Sequence, residues 1–304
     1  MIHINRILFP TDLSDTSSVA LGHALMLADR FQATLIMLHA ASTRANPPAA
    51  QFPEVYPVSD EFEAQLEAQL AAITGAAPAQ KLRLERVVQQ NNNPVAEICA
   101  YAETANIDLV IMGTHGRTGL SHWLAGSVTE EVVRRASCPV MTVRAAKQNT
   151  EVSPYFDILV PVDFSLHAQK ALRYGVTLAH LFEANLHLLH VVDQPLYPTY
   201  YGLGEDLLLN SHPEVPRRSH EELRRLMTSF AAPAIKCQTH VREGRAYSEI
   251  IRFINENECD LVVMGTHGLS GLEHFLLGGT TEKVMRHAAC PVLAVKLKER
   301  DFVE

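Results

Sequence analysis

Residues 112–127 read MGTHGRTGLSHWLAGS, and residues 264–279 read MGTHGLSGLEHFLLGG. Ten of the sixteen positions agree, and the agreement continues outward on both sides. Just before the phrase, IDLVIMG (107–113) returns as CDLVVMG (259–265), and after it SCPVMTVR (137–144) returns as ACPVLAVK (289–296). Near the start of each half, ILFPTDLS (7–14) returns as ILVPVDFS (158–165), and LIMLHA (35–40) as LHLLHV (186–191). The offset is 151 or 152 residues throughout, from Asp12 to Asp163 and from Gly113 to Gly265. An offset of that size marks a duplicated domain, and 304 residues suffice for two. The expected domains are 1–146 and 156–304, joined by a polar linker at 147–155.

Within each half, short apolar runs alternate with helical periodicity. In the first, ILFPTD is a strand that leaves into a helix over roughly 15–31, with Ala20, Ala24, Leu27, Ala28 and Phe31 on one face. LIMLHA is a second strand, and after a Pro-rich loop (43–58) a helix carries Phe62, Leu66, Leu70 and Ile73. LRLERVVQ, PVAEICAYAETA, DLVIMG, TEEVVRRA and CPVMTVR then read as strand, helix, strand, helix and strand. All-apolar cores in the first, fourth and fifth strands predict burial on both faces, hence a parallel sheet between helices. The predicted fold class is α/β, with two tandem, doubly wound, Rossmann-like parallel-sheet domains. Ligands of such sheets bind beyond the carboxyl ends of the strands, where the turns PTDLS and MGTHG both fall.

The glycine phrase has a chemistry of its own. Gly113 and Gly116 open a loop in which backbone N–H groups approach an anion closely, and Gly126-Ser127 begins a helix whose free N–H groups and dipole favour phosphate. No G-K-[ST] follows, so this is not a Walker A loop, and the spacing is not G-x-G-x-x-G. Ser127-Val128-Thr129-Glu130 also fits a capping box that needs no ligand, and Asp12 and Asp163 could cap the helices after them.

The strand-end Asp of PTDLS, the G-x2-G-x9-G-[ST] phrase and the closing C-P-V strand resemble the universal stress protein family, in its ATP-binding branch. The resemblance runs through nearly all of both halves and implies a tandem member. It implies ATP at the strand ends, with Mg²⁺ held mainly by the phosphates, and association of two units through their last strands. In one chain that gives an intramolecular pseudo-dimer, with a homodimer also open. Carried over, Asp12 accepts hydrogen bonds on the ribose and base side and Ala40 offers backbone groups to adenine. Met112, Gly113 and Gly116 line the ribose and phosphates, Arg117 is a phosphate partner, and Gly126, Ser127, Val128 and Thr129 bind phosphates. The matching positions of the second half are Asp163, Val191, Met264, Gly265, Gly268, Gly278, Gly279, Thr280 and Thr281. Gly279 stands where the pattern asks for Ser or Thr, and Leu269 stands for Arg117. A hydroxyl bonded to a charged group is worth roughly 1.5–3 kcal/mol, so the second site is expected to bind roughly ten- to a hundredfold more weakly.

The resemblance implies an ATP-binding stress-response protein that acts through nucleotide-dependent conformation or partner interaction. No general base, Walker B carboxylate or nucleophile triad stands out, so catalysis is not expected, although a slow ATPase or phosphotransferase is an alternative. A nucleotide-free interaction module with vestigial sites is the other. His115, His267, His39 and His190 read as loop-fixing hydrogen bonders rather than catalysts, and no histidine spacing suggests a metal. A net charge of −8 argues against nucleic acid and anionic membranes. Five scattered cysteines without C-x-x-C fit reduced thiols, no apolar run is long enough for a membrane span, and a cytoplasmic location is expected. The segment 193–217, with three tyrosines and four prolines, reads as a surface loop, a lid or a partner surface.

Overall fold

The computed structural model describes residues 2–41, 60–74, 82–90, 93–114, 127–144, 152–193, 214–230, 235–268 and 277–303. The chain divides into two units, Met1–Pro154 with Lys298–Glu304, and Tyr155–Leu297. In the first unit the order is β1 (Arg6–Pro10), α1 (Asp15–Phe31), β2 (Thr34–Ala41), α2 (Asp60–Thr74), β3 (Arg83–Gln90), α3 (Pro94–Thr104), β4 (Leu109–Gly113), α4 (Ser127–Arg135) and β5 (Val140–Val143). The second unit repeats it with β6 (Asp157–Pro161), α5 (Leu166–Phe182), β7 (Asn185–Val192), α6 (Glu214–Ser229), β8 (Cys237–Glu243), α7 (Ala246–Glu256), β9 (Leu261–Gly265), α8 (Gly279–His287) and β10 (Val292–Val295). The predicted alternation is therefore present in both halves. Of the segment 193–217, residues 194–213 lie outside the described residues, and 214–217 open α6.

Each unit is a parallel sheet, in the order β3-β2-β1-β4-β5 for the first and β8-β7-β6-β9-β10 for the second. The inner strands are apolar on both faces because helices cover both. Ile7, Leu8 and Phe9 of β1 are fully buried, as are Leu159 and Val160 of β6 and Val262 and Val263 of β9. The outermost strand β8, CQTHVRE, is only half-buried and correspondingly polar. Helix α1 puts Ala20, Leu21, Ala24 and Ala28 against the sheet, the face expected from periodicity.

Local chemistry repeats along with the topology. Ser14 and Ser165 cap α1 and α5 by accepting from Ser17 N and Ala168 N. Gln32 and Glu183 end those helices in the left-handed region, and Asn106 with Glu258 do the same after α3 and α7. The Asp of each D-L-V motif ties its strand to the neighbouring one. Asp108 accepts from Asn5 N and Arg6 N at 2.8 and 3.0 Å, and Asp260 accepts from Phe156 N at 2.7 Å. Residues 298–304 pack with the first unit rather than the second, through an antiparallel bridge from Val303 to Ile2 and a bond from His3 N to Phe302 O.

A polar chain centred on the buried His187 distinguishes the second unit. His187 Nε2 lies 2.9 Å from Asp157 Oδ1, and His187 Nδ1 lies 3.3 Å from His240 Nε2. Phe253 of α7 covers both imidazoles. The first unit carries Ile36 and Val87 at the matching register positions, so the network is an addition to the common core. Burial, reinforced by His187, Arg242 and His220, lowers His240 to about 4. The unfolded chain then binds the proton more readily, so stability present above pH 6.5 is lost as pH falls from 6.5 toward 4. His240 is half-exposed, and solvent screening reduces the effect to about 1 kcal/mol. Denaturant midpoints measured from pH 7.5 to 4.5 should fall less steeply in His240→Val than in the unaltered chain. Identical slopes would remove His240 as the cause.

Candidate functional site

Toward the carboxyl edge of each sheet the central strands pair over only two residues. β1 pairs with β2 over five residues but with β4 only at Ile7–Leu109 and Leu8–Val110. β6 likewise meets β9 only at Ile158–Leu261 and Leu159–Val262. Between those strands the order of connection reverses, which makes this the switch point of the winding.

One side of this edge is formed by the turn after β1 or β6. Asp12 Oδ1 accepts from Ser14 N at 3.1 Å, and Asp163 Oδ1 from Ser165 N at 3.0 Å. Each carboxylate thereby folds its own turn. Leu13 and Phe164 follow with φ of 60° and 64°. The first turn is braced further by Thr11, whose hydroxyl accepts from Leu13 N at 3.0 Å and shares a proton contact with Ser17 at 2.6 Å. His39 Nδ1 donates to Thr11 O and His190 Nδ1 to Val162 O, both at 2.8 Å. Both histidines thus fix loops, as their sequence context suggested. Ala40 and Val191 lie beyond the last β1–β2 and β6–β7 pairs, Pro10–Leu38 and Pro161–Leu189, on strands that run past their inner neighbours.

The opposite side is best described in the second unit. Met264 is buried, and Gly265 ends β9 directly beneath the first turn of α5: a Cβ there would stand 2.7 Å from His167 Cβ and 3.0 Å from its carbonyl carbon. Thr266 N bonds to Val295 O, and Thr266 Oγ1 lies 3.0 Å from His267 Nδ1, while His267 Nε2 is buried with no hydrogen-bond partner among the described residues. Gly268 comes next, and a Cβ on it would run into Asp163 Oδ2. The turn after β9 therefore closes onto Oδ2 of the carboxylate from the turn after β6. The two short motifs, about a hundred residues apart in sequence, meet here.

The helix α8 completes this side. Gly278 is its N-cap, and Gly278 N donates to Thr266 O at 2.8 Å, which ties the helix start to the β9 exit. That N–H is therefore engaged within the protein. No side chain caps α8, so the N–H groups of Gly279, Thr280 and Thr281 are the first-turn donors. The Thr281 hydroxyl is buried and donates to Gly265 O at 2.8 Å, and Thr129 does the same to Gly113 O at 2.8 Å in the first unit. Both hydroxyls bracket helix to strand, leaving the backbone N–H as the group each residue presents. Gly279 is exposed, with no described atom within 4 Å of a Cβ placed on it.

In the first unit Met112 and Thr114 are buried at the β4 exit, and α4 begins at Ser127, followed by Val128 and Thr129. A capping box would place Ser127 one position earlier, outside the helix. Gly116, Arg117, Gly126 and His115, with Leu269 of the second half, lie outside the described residues.

Among the described residues no group of three His, Cys, Asp or Glu side chains is placed to hold a metal. Burial pushes the Cys259 thiol up to about 12 and Cys237 up to about 11, and raises Cys290 further, which keeps these three protonated near neutral pH. No helix among the described residues is long and apolar enough to cross a membrane.

The family model described as the universal stress protein family matches residues 3–144 and again 154–296. The chain is 31% identical over 147 residues to a universal stress protein of Methanocaldococcus jannaschii, covering 48% of this chain and 85% of that one. It is 27% identical over 231 residues to the universal stress protein E homolog of Haemophilus influenzae, covering 73% and 72%. In fold it is similar to the crystal structure of a universal stress protein from Archaeoglobus fulgidus, with a TM-score of 0.60 at 22% identity over 96% of this chain and 98% of that one.

Proposed function

Because the chain belongs to the universal stress protein family through both of its halves, we propose that it binds ATP at the carboxyl edge of each sheet and acts through a nucleotide-dependent conformation or partner contact. The observation that supports this reading most is the meeting of Asp163 with Gly268 beside the uncapped start of α8. A carboxylate suits a ribose diol, whose hydroxyls donate to it. First-turn N–H groups suit phosphates. Gly268 supplies the close approach, since a side chain there would fill the space next to Asp163. The buried His267 Nε2, without a partner among the described residues, adds a polar atom that a ligand could satisfy. The residues present thus fit an adenine nucleotide.

In this reading Asp12 and Asp163 orient the ribose, and the backbone after β2 and β7, at Ala40 and Val191, addresses the base. Gly279, Thr280 and Thr281, with Ser127, Val128 and Thr129 in the first unit, hold phosphate through N–H groups. Any Mg²⁺ is carried by the phosphates. The protein's own residues bind and orient; nothing described supplies a base for hydrolysis. Mass spectrometry of the small molecules released when protein purified without added nucleotide is denatured tests the reading. ATP in the supernatant is the expected result. ADP would favour hydrolysis, and no nucleotide from a chain that also fails to take up added ATP would end the proposal.

One difference between the two sites is the hydroxyl of Ser127, absent at Gly279. Because a Cβ at Gly279 meets no described atom, Gly279→Ser introduces the missing hydroxyl without displacing any described group. It should tighten the weaker class of ATP sites about tenfold in calorimetric titration of the full chain. Unchanged affinity would show that backbone donors alone set phosphate binding there.

A further inference from the structure

His39 and His190 hold the same place in their units, the sixth position of β2 and of β7. Each reaches across to the chain leaving the neighbouring strand, with Nδ1 2.8 Å from the carbonyl oxygen of Thr11 or Val162. A carbonyl only accepts, so both rings carry the proton on Nδ1, which fixes one tautomer in two independent copies. The next residue in each chain is the carboxylate, Asp12 or Asp163, and the one after it, Leu13 or Phe164, is a bulky residue held at φ 60° or 64°. Such a conformation persists only where the surroundings enforce it, and it concentrates where groups must be aimed. The carboxylate's bond to Ser14 N or Ser165 N closes the turn from one side. The imidazole fastens it from the other, across the strand. In the second unit the ring also lies against Phe164, centroids 4.7 Å apart. The two halves differ in what surrounds the turn, Thr11 against Val162, Leu13 against Phe164, Ala40 against Val191, yet both keep the imidazole and its acceptor.

We propose that His39 and His190 are positioning residues, which hold the strained turns that aim Asp12 and Asp163 at the ribose of a bound adenine nucleotide. The inference rests on the nucleotide reading above. A ring that merely fills space is replaceable by phenylalanine, whereas a positioning donor is replaceable by asparagine, whose Nδ2 takes the place of Nδ1.

The experiment compares the full chain with the double variants His39→Phe, His190→Phe and His39→Asn, His190→Asn, using ATP titration and amide hydrogen exchange without ligand. The phenylalanine pair should weaken ATP binding about tenfold, or about 1.4 kcal/mol, and speed exchange at residues 12–14 and 163–165. The asparagine pair should stay within about threefold of the unaltered chain and leave exchange there unchanged. ATP bound as tightly by a folded phenylalanine pair overturns the proposal, even if its melting temperature falls, because only a structural role then remains. Exchange unaltered by the phenylalanine pair overturns it as well. An unaltered chain that binds no ATP overturns the nucleotide reading and the positioning role with it. The exchange arm needs no ligand and separates that case from a clamp that does not exist.

Discussion

Gly265→Val should lower the stability of the second unit by about 3 kcal/mol, the upper end of what overpacking usually costs. The reason is the identity of the atoms in the way. A Cβ at Gly265 would stand 2.7 Å from His167 Cβ, 3.0 Å from His167 C and 3.1 Å from His167 O. These belong to the first turn of α5, which cannot rotate aside as the tip of a long side chain can. Helix α5 would have to lift from β9, and Ala168, Ala171 and Leu172, all buried in its sheet-facing stripe, would lose their packing. For a unit of this size the thermal midpoint should drop by about 6–12 °C. Gly279→Ala is the matched control, since the same added carbon meets no described atom and replaces glycine within a helix. Its midpoint should hold or rise. Equal losses from both substitutions would show that glycine's backbone freedom, not the space above Gly265, is what matters.

Gly268→Val should remove ATP binding from the second unit, by more than about a hundredfold, while leaving the first unit's site in place. A side chain at Gly268 collides with Asp163 Oδ2. Asp163 is short, and its other oxygen is engaged by Ser165 N, so escape requires breaking the bond that shapes its turn. The valine also fills the space beside the carboxylate. One substitution therefore costs the ribose partner's aim and the room for ligand together. Calorimetry on the full chain should show the weaker class of sites vanish and the tighter class persist. A weaker class that survives would place the second site away from the Asp163–Gly268 contact.

How much of this was legible beforehand depends on the range of each interaction. The doubled architecture was plain because ILFPTD, DLVIMG and CPVMTV carry their burial in their own composition, and the strands fall where those runs do. The carboxyl edge was the expected place for a ligand on topology alone. What the individual side chains do there was less accessible. Thr129 and Thr281 read as phosphate ligands by hydroxyl and backbone, but their hydroxyls are committed to Gly113 O and Gly265 O, a partnership that exists only once helix and strand are packed. The N–H of Gly278 is taken by Thr266 O for the same reason. Glycine spacing announced a close approach without naming what is approached, and Asp163 emerged as that neighbour of Gly268 only in three dimensions. The Asp157–His187–His240 chain left no trace in the sequence, since its histidines sit on separate strands, 53 residues apart. Residues 298–304 gave no sign of joining the first unit, because a two-residue bridge has no periodicity to read.

The most direct measurement is an amide chemical-shift titration of the isotope-labelled full chain with ATP. The account predicts that the shifts centre on Asp163, Gly265, Gly268 and Gly279–Thr281, with a matching set at Asp12, Gly113 and Ser127–Thr129 that saturates first. Shifts confined to another surface, such as the outer face of α7 around Tyr247 and Arg252, or a spectrum indifferent to ATP, would contradict it.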